Sequence, residues 1–419
     1  MIKQTRGTIR FLLADYRAVL KYAMIAAAGI ALSSPSYADG SETGEDIAQT
    51  PSEGTENEIL IKTEKTYSEG TDFGKKIVIQ CNGETHTSGK LTLKDGNYTA
   101  KSVLVSGGTM GERIRNELVI RDATLTTSEN NGMPDVGTHV MDPVFVMGKL
   151  SLTNATITSR DGGEPADVQL WGPDAEAAFA GNVTIDGDYL GFGQFKDEKN
   201  ELLNIVLDGK DINGTYTGLN LKVNGEIGID RASLTLKGYD KADTGTDDTF
   251  TKVTAVETCI SNGGRLTVGH NASMEIQGLY IENVDGIGVK PGTVTVENGG
   301  KLLVTGKGYN GKEEDQFFAV GNYTEDGDPS DQEIKDLKGI IKAANSSEIV
   351  FSHKAAVLYD PVTIPDDEDG DNLAYVPNQA FDIDNSSKLT ISDLGAMTKA
   401  GVKALKEKLL YNGTGTLDG

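Results

Sequence analysis

Four histidines, two cysteines and a few closely spaced carboxylates are the residues of this chain that could do chemistry. His86, His139, His270 and His353 are scattered, and none stands at zinc-ligand spacing from another histidine or a cysteine. His270, in Gly269-His270-Asn271, is expected at a chain corner, in the place Arg231 takes in a related segment. The run Asp366, Asp367, Glu368, Asp369, Asp371 invites calcium. With Gly370 at the sixth place of an EF-hand loop, however, Pro365 would fall at the first ligand position. Asp326 and Asp328 before Ser330 fail for want of glycine at that sixth place. A carboxylate pair for glycoside cleavage would fall nearest at Asp186 with Asp188, or at Asp208 with Asp211. The plainer role of these four is the outer face of a sheet. No nucleophile elbow, phosphate loop or Ser-His-Asp pattern is legible. The reading is therefore no catalytic residue, no cofactor, no metal site and no enzyme.

Cys81 and Cys259 are 178 positions apart. Stacked coils of about 22 residues, rising about 4.8 Å each, would separate them by roughly 35–40 Å. A disulfide needs Cα atoms within about 7 Å, so two unpaired, buried thiols are expected.

The elements that must position these residues are strands. Glycine is abundant, at 51 of 419 residues, but has no period of three, which excludes collagen. Short alternating β-branched and leucine strands begin at Lys76, separated by Gly, Asn and Asp. A turn with Asn-Gly or Asn-Ser leads into a strand repeatedly: NGEIGI from Asn224, NGGRLTV from Asn262, NGGKLLV from Asn298, NSSEIVF from Asn345, NSSKLTI from Asn385. The offsets are 38, 36, 47 and 40 residues, which predicts two coils of about 20 residues per repeat. A second unit carries Ala-Thr or Ala-Ser at a corner, as in LVIRDATLT from Leu118, LSLTNATIT from Leu150, IGIDRASLTL from Ile227 and LTVGHNASMEI from Leu266. Strands of four or five residues without crossover helices, and corners that tolerate positive φ, predict an all-β right-handed parallel β-helix. Immunoglobulin-like arrays and propellers want longer strands and more aromatics than 6 %.

The flanks differ. A basic stretch and the apolar run Ala23 to Leu32 end in Ser36-Tyr37-Ala38, the pattern of a signal peptide over residues 1–38. Net charge is −24, and removing five bases and one acid with that segment leaves −28. Such a chain repels phosphate backbones, so no nucleic-acid partner is expected. The acidic surface suits solubility and guarded sheet edges, with divalent-cation binding as the sharper alternative. Residues 39–75 read as a disordered acidic leader. The β-helix spans 76–395, with inserted loops at 307–344 and 360–380. Ser330 and Glu333 form a capping box for a short helix ending near Ala344. Residues 396–419 form a C-terminal cap, with a helix over 398–410 bearing Val402, Leu405 and Leu409 on one face and stopped by Gly413.

Across roughly residues 76–395 the repeats resemble those of Gram-negative autotransporter passengers and large exoprotein adhesins. NGGRLTV, NGGKLLV, LSLTNATIT and the long signal sequence carry the likeness. The resemblance implies an exported protein at the cell surface or outer membrane, or released outside the cell. It implies adhesion to host or neighbouring-cell glycans or proteins, or self-association. It also implies an outer-membrane translocator, which these residues do not include; a truncated passenger or another secretion route would account for that. The alternative with the same architecture is a carbohydrate-active β-helix enzyme, a polysaccharide lyase or glycoside hydrolase. The Asn-Thr-Asp, Gly-His-Gly and Arg-Ile-Lys motifs of the polygalacturonase-like members are absent. A further reading is a structural, surface-layer component.

Overall fold

The computed structural model describes residues 57–82, 85, 87–107, 115–132, 140–194, 201–245, 247–283, 291–306, 318–322, 338–352 and 379–391, with 403, 406, 407, 409–411 and 416–418. The expected signal peptide, His86, His139, His353, Asp326, Asp328 and the acidic run at 366–371 lie outside the described residues.

The chain is a parallel β-helix. Among the described residues, a coil lays one strand on each of three faces, and nearly every strand pairs in parallel with its counterpart one coil away. The first coil places Glu58–Ile61 on face one, Glu64–Tyr67 on face two and Thr71–Asp72 on face three. These pair with Lys76–Ile79, Lys90–Lys94 and Asn97–Thr99 of the second coil. On face three the stack runs from Thr71–Asp72 through twelve strands to Thr416–Asp418. Eleven steps of about 4.8 Å make a rod on the order of 50 Å long.

One coil alone cannot bury its apolar residues, because each strand turns only every second side chain inward. Stacking solves this. Ile61, Ile79, Val105, Val146, Leu170, Phe192, Ile229, Ile260 and Ile281 stand in register on face one, coil upon coil. All are buried. Each such side chain contributes about 1.5–3 kcal/mol. The neighbouring ladder contains one polar member: Thr258 stands between Ile227 and Leu279, fully buried, with its hydroxyl unpartnered.

The corners need a left-handed residue, and the second sequence unit supplies it. Asp122, Asn154, Arg231 and Asn271 each precede an alanine and have φ of 49°, 46°, 49° and 49°. The residue matching Arg231 is thus Asn271, and His270 sits one place earlier. Asn154 does more than tolerate the turn. Its amide donates to Asp122 at 2.9 Å and its carbonyl oxygen accepts from the Asn182 backbone at 3.1 Å, tying three coils. Above it Gly181, at φ 65°, leaves the room that a Cβ would take from the Asn154 side chain.

Several expectations are corrected. The first coil begins at Glu58, inside the stretch read as disordered leader, because Ile59 and Ile61 stack on Ile77 and Ile79. No repeat offset spans two coils: Lys301, Glu348 and Lys388 lie 47 and 40 positions apart and pair directly, whereas Ile59 and Ile77 pair at 18. The Asn-Gly segments also serve different faces, leading into Glu226–Asp230 on face one, Arg265–Val268 on face two and Lys301–Val304 on face three. A tight turn is a local device that works at any corner, while coil length follows from what is looped out between corners.

Strands also exceed the expected four or five residues. Glu176–Asp186, Thr251–Ser261 and Ala272–Asn283 run unbroken through a corner. The insert expected at 307–344 contributes Phe318–Asn322 to face one and Ile341–Ala344 to face two. The latter is strand where the capping box suggested the end of a helix. Near the C-terminus Leu409 and Leu410 join the core, Leu410 bridges Phe381, and Thr416–Asp418 adds a last rung on Lys388–Ile391. Cys81 and Cys259 are not joined in a disulfide, as expected, but are half-buried rather than buried. Six coil steps separate them, about 29 Å rather than 35–40 Å, because coils average more residues than assumed.

Two substitutions test the stack from opposite sides. Thr258→Val removes a buried, unpartnered hydroxyl from an aliphatic ladder and is expected to raise stability by about 1 kcal/mol. Asn154→Ala keeps the strained backbone but loses two inter-coil hydrogen bonds, and is expected to cost about 2 kcal/mol. Urea midpoints of the purified variants, at unchanged slope, check both.

Candidate functional site

Among the described residues, the face-two ladder breaks once. Face two pairs without interruption from Glu64–Tyr67 to residues 176–180, and again from Leu203–Leu207 to Phe381–Ile383. No ladder joins 176–180 to Leu203–Leu207, although faces one and three pair normally across the same two coils. Side-chain size accounts for the parting. Ala177 occupies the inward position held by Leu91, Leu118 and Leu150 in the coils below. A methyl group fills that place less well than a leucine, so the inward packing between these two coils is thinner there, although Phe179 remains in the core.

A row of alternating charge runs into this seam. Glu64, Lys90, Glu117, Lys149 and Glu176 share one register position. Lys90 lies 3.7 Å from Glu64 and 3.4 Å from Glu117, and Lys149 lies 3.4 Å from Glu117. Each such surface pair contributes little to stability, but a one-residue slip would break all of them together. Glu176 ends the row and is paired by Arg115.

At the seam a cleft of about 520 Å³ opens on the outer side, lined by Lys149, Glu176, Ala177 and Ala178 below and by Asn204 to Val206, Asp208 and residues 210–214 above. Val206 faces it from an outward strand position and is 42 % exposed, where a polar residue is the rule. The upper wall is a hairpin. Lys210 bridges Tyr216, and Asp211 closes the turn by accepting from the Asn213 and Thr215 amides at 2.9 and 2.7 Å. Tyr216 packs edge-on against Tyr239 at 4.6 Å between centroids. Lys210 and Lys237 lie over these rings at 5.2 and 4.8 Å. The Tyr239 hydroxyl donates to Asp208 at 2.9 Å, and burial together with that carboxylate pushes its ionisation far upward. The result is a rigid wall presenting both charge and apolar surface.

Of the carboxylates singled out in the sequence, the structure brings Asp208 and Asp211 to this cleft. Both are occupied as acceptors, one by Tyr239 and the Lys210 amide, the other by its own turn. Asp186 instead accepts from the Thr158 hydroxyl and the Asn224 amide on face three, and Asp188 lies at the following corner. His270 is exposed at its corner and bonds Asp240 at 2.9 Å. That bond raises its pKa above the usual histidine range and lowers that of Asp240. Among the described residues no group of three or more His, Cys, Asp or Glu is placed to share a metal ion. The sequence reading missed Lys149, Glu176, Val206, Lys210, Tyr216 and Tyr239. The available signals were Glu-Ala-Ala-Phe-Ala at 176–180, where other coils carry Leu-x-Leu, and the valine at an outward place in Leu-Asn-Ile-Val-Leu.

A second cluster of titratable groups lies at the corner entering face one. Asp167 and Asp188 lead into adjacent coils, Asp142 lies one coil below Asp167, and Glu164 is near. Burial first, then the Asp188 charge, lifts Asp167 to about 6, against the Tyr189 amide that donates to it at 2.9 Å. Burial, then the Asp167 charge, holds Asp142 well above the ordinary carboxylate range.

Among the described residues no helix is long and apolar enough to cross a membrane. No protein family, curated protein or solved structure matches the chain.

A carboxyl whose pKa is raised on folding binds protons more tightly folded than unfolded. Its favourable contribution is therefore full below the unfolded value, near 4, and is lost as pH rises through about 6. Asp167→Asn keeps an acceptor for Tyr189 and removes the titration. Its melting temperature relative to the parent is expected to climb between pH 4 and about 6 and then level off, worth on the order of 2 kcal/mol. Paired thermal melts across that range give the difference curve.

Proposed function

We propose that this chain is an exported β-helix protein, displayed on the cell surface or released from it, that acts in adhesion or cell-surface interaction. The observation that carries this reading is the cleft at the face-two seam. It combines exposed Val206, a hairpin wall braced from behind by the Tyr216–Tyr239 pair, and opposed charges at Lys149, Glu176 and Lys210. Such a surface suits an extended polar partner with one apolar side, a glycan or a polypeptide segment of a host or neighbouring cell. Self-association through the same face is the other form of this reading. The signal-like N-terminus and the passenger-like repeats support export.

Asp208 and Asp211 on the cleft wall favour a second reading, a carbohydrate-active enzyme. Their hydrogen bonds argue for positioning over proton transfer, since each already accepts from groups that hold the wall together.

Binding of the purified chain lacking residues 1–38 to immobilised cells and to surface polysaccharides separates the two. Saturable binding, weakened about tenfold or roughly 1.4 kcal/mol by Val206→Asp with little change in melting temperature, is the expected result. Release of shortened or unsaturated sugar products, abolished by Asp208→Asn, would replace adhesion with catalysis.

A further inference from the structure

Where face three of the third coil turns into face one of the fourth, three buried oxygens stand without hydrogen-bond partners. They are Thr127 Oγ1, Asn131 Oδ1 and Asp142 Oδ2. Thr127 and Asn131 are 0 % and 1 % exposed. The place is built, not incidental. Thr127 is the last inward residue of Thr124–Thr127. The Ser128 and Glu129 amides that follow it donate to the Lys101 carbonyl. Register along face one sets Val103 beside Val144, and so Lys101 beside Asp142. The Asn131 amide nitrogen donates to the carbonyls of Val103, Asp142 and Pro143 at 3.0, 2.8 and 3.0 Å. Three carbonyls fix which end of that amide is nitrogen, so its oxygen is the end left over.

Each buried, unsatisfied polar atom costs about 1–3 kcal/mol, and a carboxylate more. Three at one corner call for a common partner. Hydrogen bonds among themselves do not supply it, because the Thr127 hydroxyl could donate to either of the others and does not. The three are therefore not bonded to one another. Among the described residues, the cation in register with Asp142 turns elsewhere: the Lys101 ammonium pairs with Glu129 at 2.9 Å. Asp167, Asp188 and Glu164 on the succeeding coils add negative potential. A carboxylate, an amide oxygen and a hydroxyl are the donors a hard cation prefers, at about 2.3–2.6 Å for calcium, with water to complete six to eight ligands.

We propose that this corner binds one calcium ion through Asp142, Asn131 and Thr127, pinning the third coil to the fourth. A proton on Asp142 is the competing occupant, and it would satisfy only one of the three oxygens. Calcium is the better partner at neutral pH because it serves all three and offsets the acids stacked above.

Thermal melts of chelator-treated protein at neutral pH, with calcium, with magnesium or with neither, test this. Millimolar calcium is expected to raise the melting temperature by several degrees and magnesium by less, with one high-affinity ion per chain by titration calorimetry. Asp142→Asn is expected to raise the melting temperature of the metal-free protein and to erase the calcium increment. Thr127→Val, a milder change that keeps the fold, should weaken the ion about tenfold. No calcium increment in the parent would overturn the proposal and leave a protonated or hydrated corner. An undiminished increment in both variants would overturn it as well, by placing the ion elsewhere on the acidic surface.

Discussion

Every coil of this protein depends on its neighbours for burial, and the parallel backbone ladder between coils is the interaction that makes burial possible. A strand of four or five residues turns two side chains inward, too few to form a core. When Ile79 stacks on Ile61 and beneath Val105, each inward residue acquires apolar neighbours above and below, and the ladder satisfies the backbone groups buried with them. The corners serve that end. A left-handed residue before an alanine lets the chain leave one face and enter the next without lifting off the coil below, and Asn154 adds bonds across three coils. Stability in such a rod is a sum of neighbour terms, so local features carry local consequences.

The seam follows from the same dependence. Where Ala177 replaces the leucines of the preceding coils, the inward packing that would hold face two together is thinner, and among the described residues the face-two ladder opens there alone. Faces one and three remain paired through the same two coils, so the rod continues while its surface gains a cleft. The acidic corner beside face one is the converse case. There the coils stay closely stacked, and the tension lies in carboxyls and oxygens that stacking has removed from water.

Much of the architecture was legible in the chain. Alternation in Lys-Leu-Thr-Leu-Lys, the Asn and Asp residues before alanine, and the Asn-Gly turns all mark strands and corners, because backbone conformation at a corner is decided within three or four residues. The His270 reading slipped by one place for a related reason: the alanine, not the glycine, anchors the corner, and that puts Asn271 at positive φ. The first coil at Glu58 was hidden among acids and glycines. Its two inward isoleucines make sense only with Ile77 and Ile79 beside them.

The sequence by itself determined a β-solenoid, the residues that bend it and the side chains it turns inward. Tertiary structure alone decided which coil rests on which. Pairing partners lie 18 to 47 residues apart, set by how much chain is looped out between corners, and no local pattern reports that distance. For that reason the repeated Asn-Gly segments misled about coil length. For the same reason the candidate cleft, made by the absence of one leucine from a stack and completed by a hairpin from the next coil, became visible only once the coils were in register.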